Sequence, residues 1–126
     1  MIKKLAPVLV VDRIEPLPPL WDALGFARTA EVPHGDGLGF AILAADGIEV
    51  MVQTFASVRD DDPAALEGPR AFGAAALFIE VDDLGSVESK LPRETAVLVR
   101  RRKTFYGSTE TIIRDIAGNV ITFAQF

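Results

Sequence analysis

The sequence repeats itself, and that repeat limits the fold more than any other feature. Asp12 and Asp83 each close an apolar, β-branched run, and Gly47 and Gly118 each sit in a turn between two such runs; both pairs are 71 residues apart. At the same spacing Val8 meets Ile79, Ile42 meets Ile113, Val50 meets Ile121 and Val52 meets Phe123. Unrelated halves would rarely hold two anchor pairs at one offset, so the chain is expected to be a duplicated supersecondary unit.

Local patterns give the content of that unit. Residues 8–11 are a short apolar run and suit a buried first strand. Leu17, Leu20, Trp21 and Leu24 follow at helical spacing, with Pro16, Pro18 and Pro19 confined to the first turn and Gly25 at the end, which predicts a helix over about 16–24. Residues 26–32, 38–44 and 48–54 then read as strands separated by Gly- and Asp-rich turns. The polar stretch 56–72 reads as a linker with one helical turn near 64–67. A second pass runs through a strand over 74–81, a short helix over 84–91 and strands over 95–104, 109–114 and 120–125. The expected fold is α+β, two tandem βαβββ modules, about 4–55 and about 73–126, within one domain spanning 1–126.

Composition narrows the function. The net charge of −5 disfavours a nucleic-acid partner, and there is no cysteine for disulfides, thiol nucleophiles or thiolate metal sites. No stretch approaches the roughly 20 apolar residues that span a membrane. The start, Met1 to Val11, resembles a signal peptide only faintly, because its apolar run is short, contains Pro7 and ends at Asp12; it is read as the first strand of a cytoplasmic protein. The basic run Arg100–Lys103 is expected to be a solvated strand edge or turn, with an anion-facing rim as the alternative.

The C-terminal stretch carries a family resemblance. Tyr106-Gly107 marks a turn, the next strand ends in Arg114-Asp115, and Gly118-Asn119 leads into a last apolar strand. Together with the duplication, this resembles the vicinal oxygen chelate superfamily, which includes glyoxalase I, extradiol dioxygenases, fosfomycin-resistance enzymes and bleomycin-resistance binding proteins. The resemblance implies that the two modules form a curved, cup-shaped mixed sheet with helices on the outer face. It also implies that family enzymes hold a divalent metal at positions corresponding here to Leu5, Ala76, Thr122 and Met51, with Glu49 two residues from Met51 on the same face. Leu, Met and Ala offer no donor suited to such an ion and Thr a poor one, so no metal and no cofactor is expected.

Strand alternation sorts the remaining side chains. Val8 and Val10 are expected against the helix, and Leu5 and Leu9 toward the cup. In the second module Leu77 and Ile79 are expected inward, and Phe78 and Glu80 toward the cup. The expected ligand-binding set is Leu5, Leu9, Trp21, Phe40, Glu49, Met51, Gln53, Phe78, Tyr106 and Thr122. Each aromatic has core packing as its plainer role, although Tyr106 in a turn pairs an apolar body with a wet end. Glu49 and Glu80 are candidate bases or cation binders, or they sit on solvated strand edges. His34 is expected to be an exposed loop residue without a carboxylate to orient it, and Arg114 a local ion-pair partner of Asp115, with an anion anchor as the alternative.

The function expected from this resemblance is metal-independent binding of a small molecule by a homodimer of the bleomycin-resistance type. Alternatives are a glyoxalase-type lyase or isomerase, or a dioxygenase-related enzyme, working through a cup carboxylate or a weakly held metal, and an interaction module with a filled cup. No nucleic-acid or membrane partner is expected.

Overall fold

A computed structural model describes residues 1–61, 63–66 and 74–126. The chain divides into two compact units, Met1–Gly73 and Ala74–Phe126. The first holds strand β1 (Val8–Val11), helix α1 (Pro18–Ala23), strands β2 (Ala27–His34), β3 (Gly37–Ala45) and β4 (Ile48–Thr54), and helix α2 (Phe55–Asp61), followed by a 3₁₀ turn at Pro63–Leu66. The second holds β5 (Ala76–Glu80), α3 (Leu84–Lys90), β6 (Ala96–Lys103), β7 (Thr109–Arg114) and β8 (Val120–Gln125).

Each unit has one four-stranded mixed sheet, and the orders are the same: β1-β4-β3-β2 and β5-β8-β7-β6. The first strand of each unit runs parallel to the last, and the other neighbours are antiparallel. The duplication is therefore real at the level of topology, and the fold is α+β with tandem βαβββ modules. The expected linker differs at its start: α2 follows β4 without a break, and the 3₁₀ turn stands close to the expected helical turn. Residues 62 and 67–72 of that linker, and residue 73 after it, lie outside the described residues.

Local chemistry accounts for the helices. Prolines at the start of α1 cost no hydrogen bond there, and Gly25 at φ 86° ends the helix by letting Phe26 N–H reach Trp21 O at 3.0 Å. Asp83 caps α3 by accepting from Ser86 N–H at 3.0 Å, and Gln125 Oε1 accepts from Leu84 N–H at 2.7 Å. Two otherwise orphaned amides of the first turn are thereby satisfied.

Each sheet has one buried face and one open face. In the first unit Leu9, Val11, Ala41, Leu43, Val50 and Val52 are buried. Alternation and register put Val8, Val10, Phe40, Ile42, Met51 and Gln53 on the opposite side. In the second, Ile113, Ile121, Phe123 and Thr111 form the buried face, opposite Phe78, Glu110, Ile112 and Thr122.

This reverses the expected sidedness of β1. Leu9 pairs with Val52 and is only 3% exposed, so it is a core residue, whereas Val8 pairs with Met51 on the open face. The run Val8–Val11 is apolar at every position and carries no alternation of its own; parallel pairing with β4 sets its parity. In β5 the expected sides are observed.

The repeat also proves to have two offsets. Leu43, opposite Val50, and Ile113, opposite Ile121, are equivalent positions 70 residues apart, while Val50 and Ile121 are 71 apart. The extra residue lies in the second module's final hairpin. The first module turns through Asp46 and Gly47, both at positive φ (48° and 80°), the geometry of a two-residue hairpin. The second turns through the longer loop between Arg114 and Val120. Ile42 and Ile113, matched at 71, consequently lie on opposite faces.

Candidate functional site

The open face of the first sheet is built in cross-strand rows. One row is Val10, Gln53, Phe40 and Val32, and the next is Val8, Met51, Ile42 and Ala30. Phe40, Met51 and Gln53 are half-buried. Gln53 Nε2 donates to Ser57 Oγ of α2 at 3.1 Å, which fixes its amide. Glu49 lies on the same face, and its Oε2 carries the Lys4 ammonium as an ion pair and no other donor among the described residues.

Two expected members of this face are elsewhere. Leu5 precedes β1 and is 85% exposed. Trp21 is fully buried with its ring edge-on to Phe26, so it is core. The helix spacing that placed Trp21 beside Leu20 already implied burial; its large area wins over any rim role.

On the second sheet, Phe78, Thr122, Ile112 and Val99 form one open-face row, with Phe78 56% exposed in mid-strand. Next to it runs Glu80, Ala124, Glu110 and Arg102. Glu80 is exposed at the edge strand and has no ion-pair partner among the described residues.

Glu110 is the residue that sequence reasoning missed. It is 1% exposed and saturated by hydrogen bonds. Arg102 donates to Oε1 through Nε at 3.3 Å and Nη2 at 3.0 Å, while Ser108 Oγ at 2.9 Å and the Tyr106 hydroxyl donate to Oε2. Thr104 extends the network to Ser108, with the two hydroxyls 2.8 Å apart. The Tyr106 hydrogen bond is the main cause holding the Glu110 carboxyl below its ordinary value; burial opposes it, and Arg102 and Ser108 reinforce it. Glu110 in turn raises Arg102. The available signal was a Glu alternating with Thr109 and Thr111, four residues after a tyrosine; its partners could not be read without the register.

The basic run is tied into the fold. Arg100 and Arg101 both pair with Glu88 of α3, and Arg102 pairs with Glu110, so three of its four cations have carboxylate partners. All four side chains are exposed on the edge strand β6, as expected of a solvated edge, with carboxylates holding three of them.

His34 also departs from expectation. Its Nε2 lies 2.6 Å from Asp60 Oδ2, joining the end of β2 to α2. Gly39 makes room for this packing: a Cβ there would lie 2.5 Å from His34 Cβ. Arg114 has no ion pair among the described residues. Asp115 instead accepts from the Ala117 and Asn119 amides at 3.0 and 2.8 Å and from Asn119 Nδ2 at 3.2 Å. Asn119 Oδ1 accepts from Ala75 N–H at 2.8 Å, so the Asp-x-x-Gly-Asn motif is a structural clasp on β5.

The donors do not suit a divalent ion. The positions implied for metal ligands hold Leu5, Met51, Ala76 and Thr122, and Glu49, on the same face as Met51, is engaged by Lys4. Among the described residues no three His, Asp or Glu side chains converge. No helix among them is long and apolar enough to cross a membrane.

No family model and no curated protein matches the chain. Solved structures share its fold. TioX from Micromonospora sp. ML1 aligns with a TM-score of 0.76 at 15% identity, covering 98% of both chains. Lactoylglutathione lyase from Agrobacterium tumefaciens aligns at 0.73 and 17%, covering 98% of this chain and 92% of the other. A bleomycin-binding protein complexed with bleomycin aligns at 0.64 and 16%, covering 99% of both. At these identities the likeness is one of fold.

Proposed function

We propose that this chain is a metal-independent small-molecule binding protein of the vicinal oxygen chelate superfamily, similar in character to its bleomycin-resistance members. The open sheet faces carry the reading: half-buried Phe40, Met51 and Gln53 on one, exposed Phe78 beside Thr122 on the other. Apolar side chains with sparse polar points suit a small organic ligand. A fold shared with a bleomycin-binding protein in complex with its ligand supports the same class of function. An enzyme using Glu49 or Glu80 as base is less well supported, because Lys4 neutralises Glu49 and no side chain among the described residues orients Glu80.

Native mass spectrometry of gently purified protein tests this reading. The expected spectrum is a homodimer without metal that retains or accepts an organic molecule. One divalent ion per chain overturns the metal-independent reading and makes Glu49 and Thr122 the first residues to mutate. A protein that takes up nothing from a chemically broad panel overturns small-molecule binding in favour of an interaction module.

A further inference from the structure

We infer that Arg102, Tyr106 and Phe126 form a subsite for a planar aromatic carboxylate, with Glu110 as the residue that positions Arg102 and Tyr106. This rests on the small-molecule reading and names the chemistry of its ligand.

The first observation is the backbone of β6. Register places Val99 opposite Ile112 and Arg102 opposite Glu110, so two residues, Arg100 and Arg101, intervene between neighbours on one face. Strict alternation would have put Arg101 there. Arg101 instead adopts φ 52°, a left-handed conformation that an L side chain takes only against a steric cost. Bulges of this kind re-aim side chains. Here the bulge turns Arg100 and Arg101 toward Glu88 and delivers Arg102 to the open face.

The second observation is how Arg102 is held. Its Nε and Nη2 are committed to one oxygen of Glu110, while Nη1 has no partner among the described residues and the side chain is 52% exposed. A guanidinium anchored on one edge presents its other edge with little rotamer freedom left to lose. That edge matches a carboxylate through charge-assisted hydrogen bonds.

The third observation is the ring cluster beside it. The hydroxyl of Tyr106 is spent on Glu110, leaving its ring as the contact surface, 46% exposed. Phe126, 62% exposed, lies 6.4 Å from it between centroids, and the fully exposed Phe105 sits edge-on at 5.1 Å. Such rings favour a flat aromatic partner. The equivalent row of the first unit, Val32 and Phe40, has neither the cation nor the carboxylate.

The test is an NMR titration of the whole chain, following backbone amides and the Arg102 Nε–H, with four probes: naphthoate, naphthamide, naphthylmethylammonium and hexanoate. Naphthoate is expected to bind about tenfold more tightly than naphthamide, the size of one charge-assisted hydrogen bond at a half-exposed site. It should shift Arg102 Nε–H and Tyr106, and weaken as salt rises. Hexanoate, lacking the ring, is expected to bind more weakly than naphthoate. Arg102→Gln should abolish the preference for naphthoate and Arg102→Lys should keep part of it; the same spectra report whether each variant is folded. Equal binding of naphthamide or the ammonium probe overturns the subsite and leaves small-molecule binding intact. Shifts confined to the first unit also overturn it. Binding of none of the four overturns it too, with the broader panel deciding the parent reading separately.

Discussion

The two units use one topology for different ends. Their buried faces match closely in kind: Val50 and Val52 in one, Ile121 and Phe123 in the other, all 5% exposed or less. Their open faces differ at equivalent places. The row Val10, Gln53, Phe40, Val32 corresponds to Glu80, Ala124, Glu110, Arg102. A core-facing position tolerates little besides a close-packed apolar side chain, because a void or an unpaired polar group is costly there. The other face does not demand an apolar side chain even where it is buried: Glu110 is 1% exposed there with its carboxylate fully hydrogen-bonded, so the copies diverged where a satisfied polar network can replace apolar packing.

Substitutions can break or sharpen this contrast. The largest loss is expected for Phe123→Ala, about 3–5 kcal/mol, because a fully buried ring is removed from the second core. Val52→Ala, its counterpart, removes two methyl groups and should cost less, near 2 kcal/mol. Urea denaturation measures both, with Trp21 fluorescence reporting the first unit and amide exchange the second. If Phe123→Ala moves the Trp21 transition as far as the exchange of the second unit, the units unfold as one.

Glu110→Gln comes next, at about 1–3 kcal/mol, since Arg102, Tyr106 and Ser108 lose a charged acceptor. It should also change the pH profile. The folded carboxyl titrates below its ordinary value of 4.5, so its stabilisation is complete above that value and is lost as pH falls through the lower folded one. Wild-type protein therefore loses stability on acidification that the variant does not have left to lose. Glu15, lowered chiefly by the Leu38 N–H, retains its own share in both.

The hairpins offer a smaller test. Asn119→Ala strands the Ala75 N–H and takes a donor away from Asp115 Oδ2, for about 1–3 kcal/mol. Gly47→Ala forces a side chain into left-handed backbone, for about 1–2 kcal/mol. The first should loosen β5 in amide exchange, while the second leaves β1 in place, because the shorter turn has no clasp onto the first strand. Phe40→Ala is expected to be mildest, about 1 kcal/mol, as a half-buried ring gives up only part of its transfer energy.

The sequence by itself determined the strands, two of the three helices, the duplication and the sheet faces of Glu49, Met51, Gln53, Phe78 and Thr122, and it left Phe40 between rim and core. These follow from periodicity and turn chemistry, which act over a few residues. It did not determine α2, which continues from β4 through Phe55 where a polar composition pointed to a linker. Nor did it settle the side of Leu9, since a run of four apolar residues has no parity until a partner strand imposes one. The pairs Arg102–Glu110, His34–Asp60 and Lys4–Glu49 join residues 8, 26 and 45 positions apart. Such pairs depend on strand register, on the bulge at Arg101 and on where a helix docks. These are properties of the assembled sheet, where hydrogen bonding between strands decides which side chains meet.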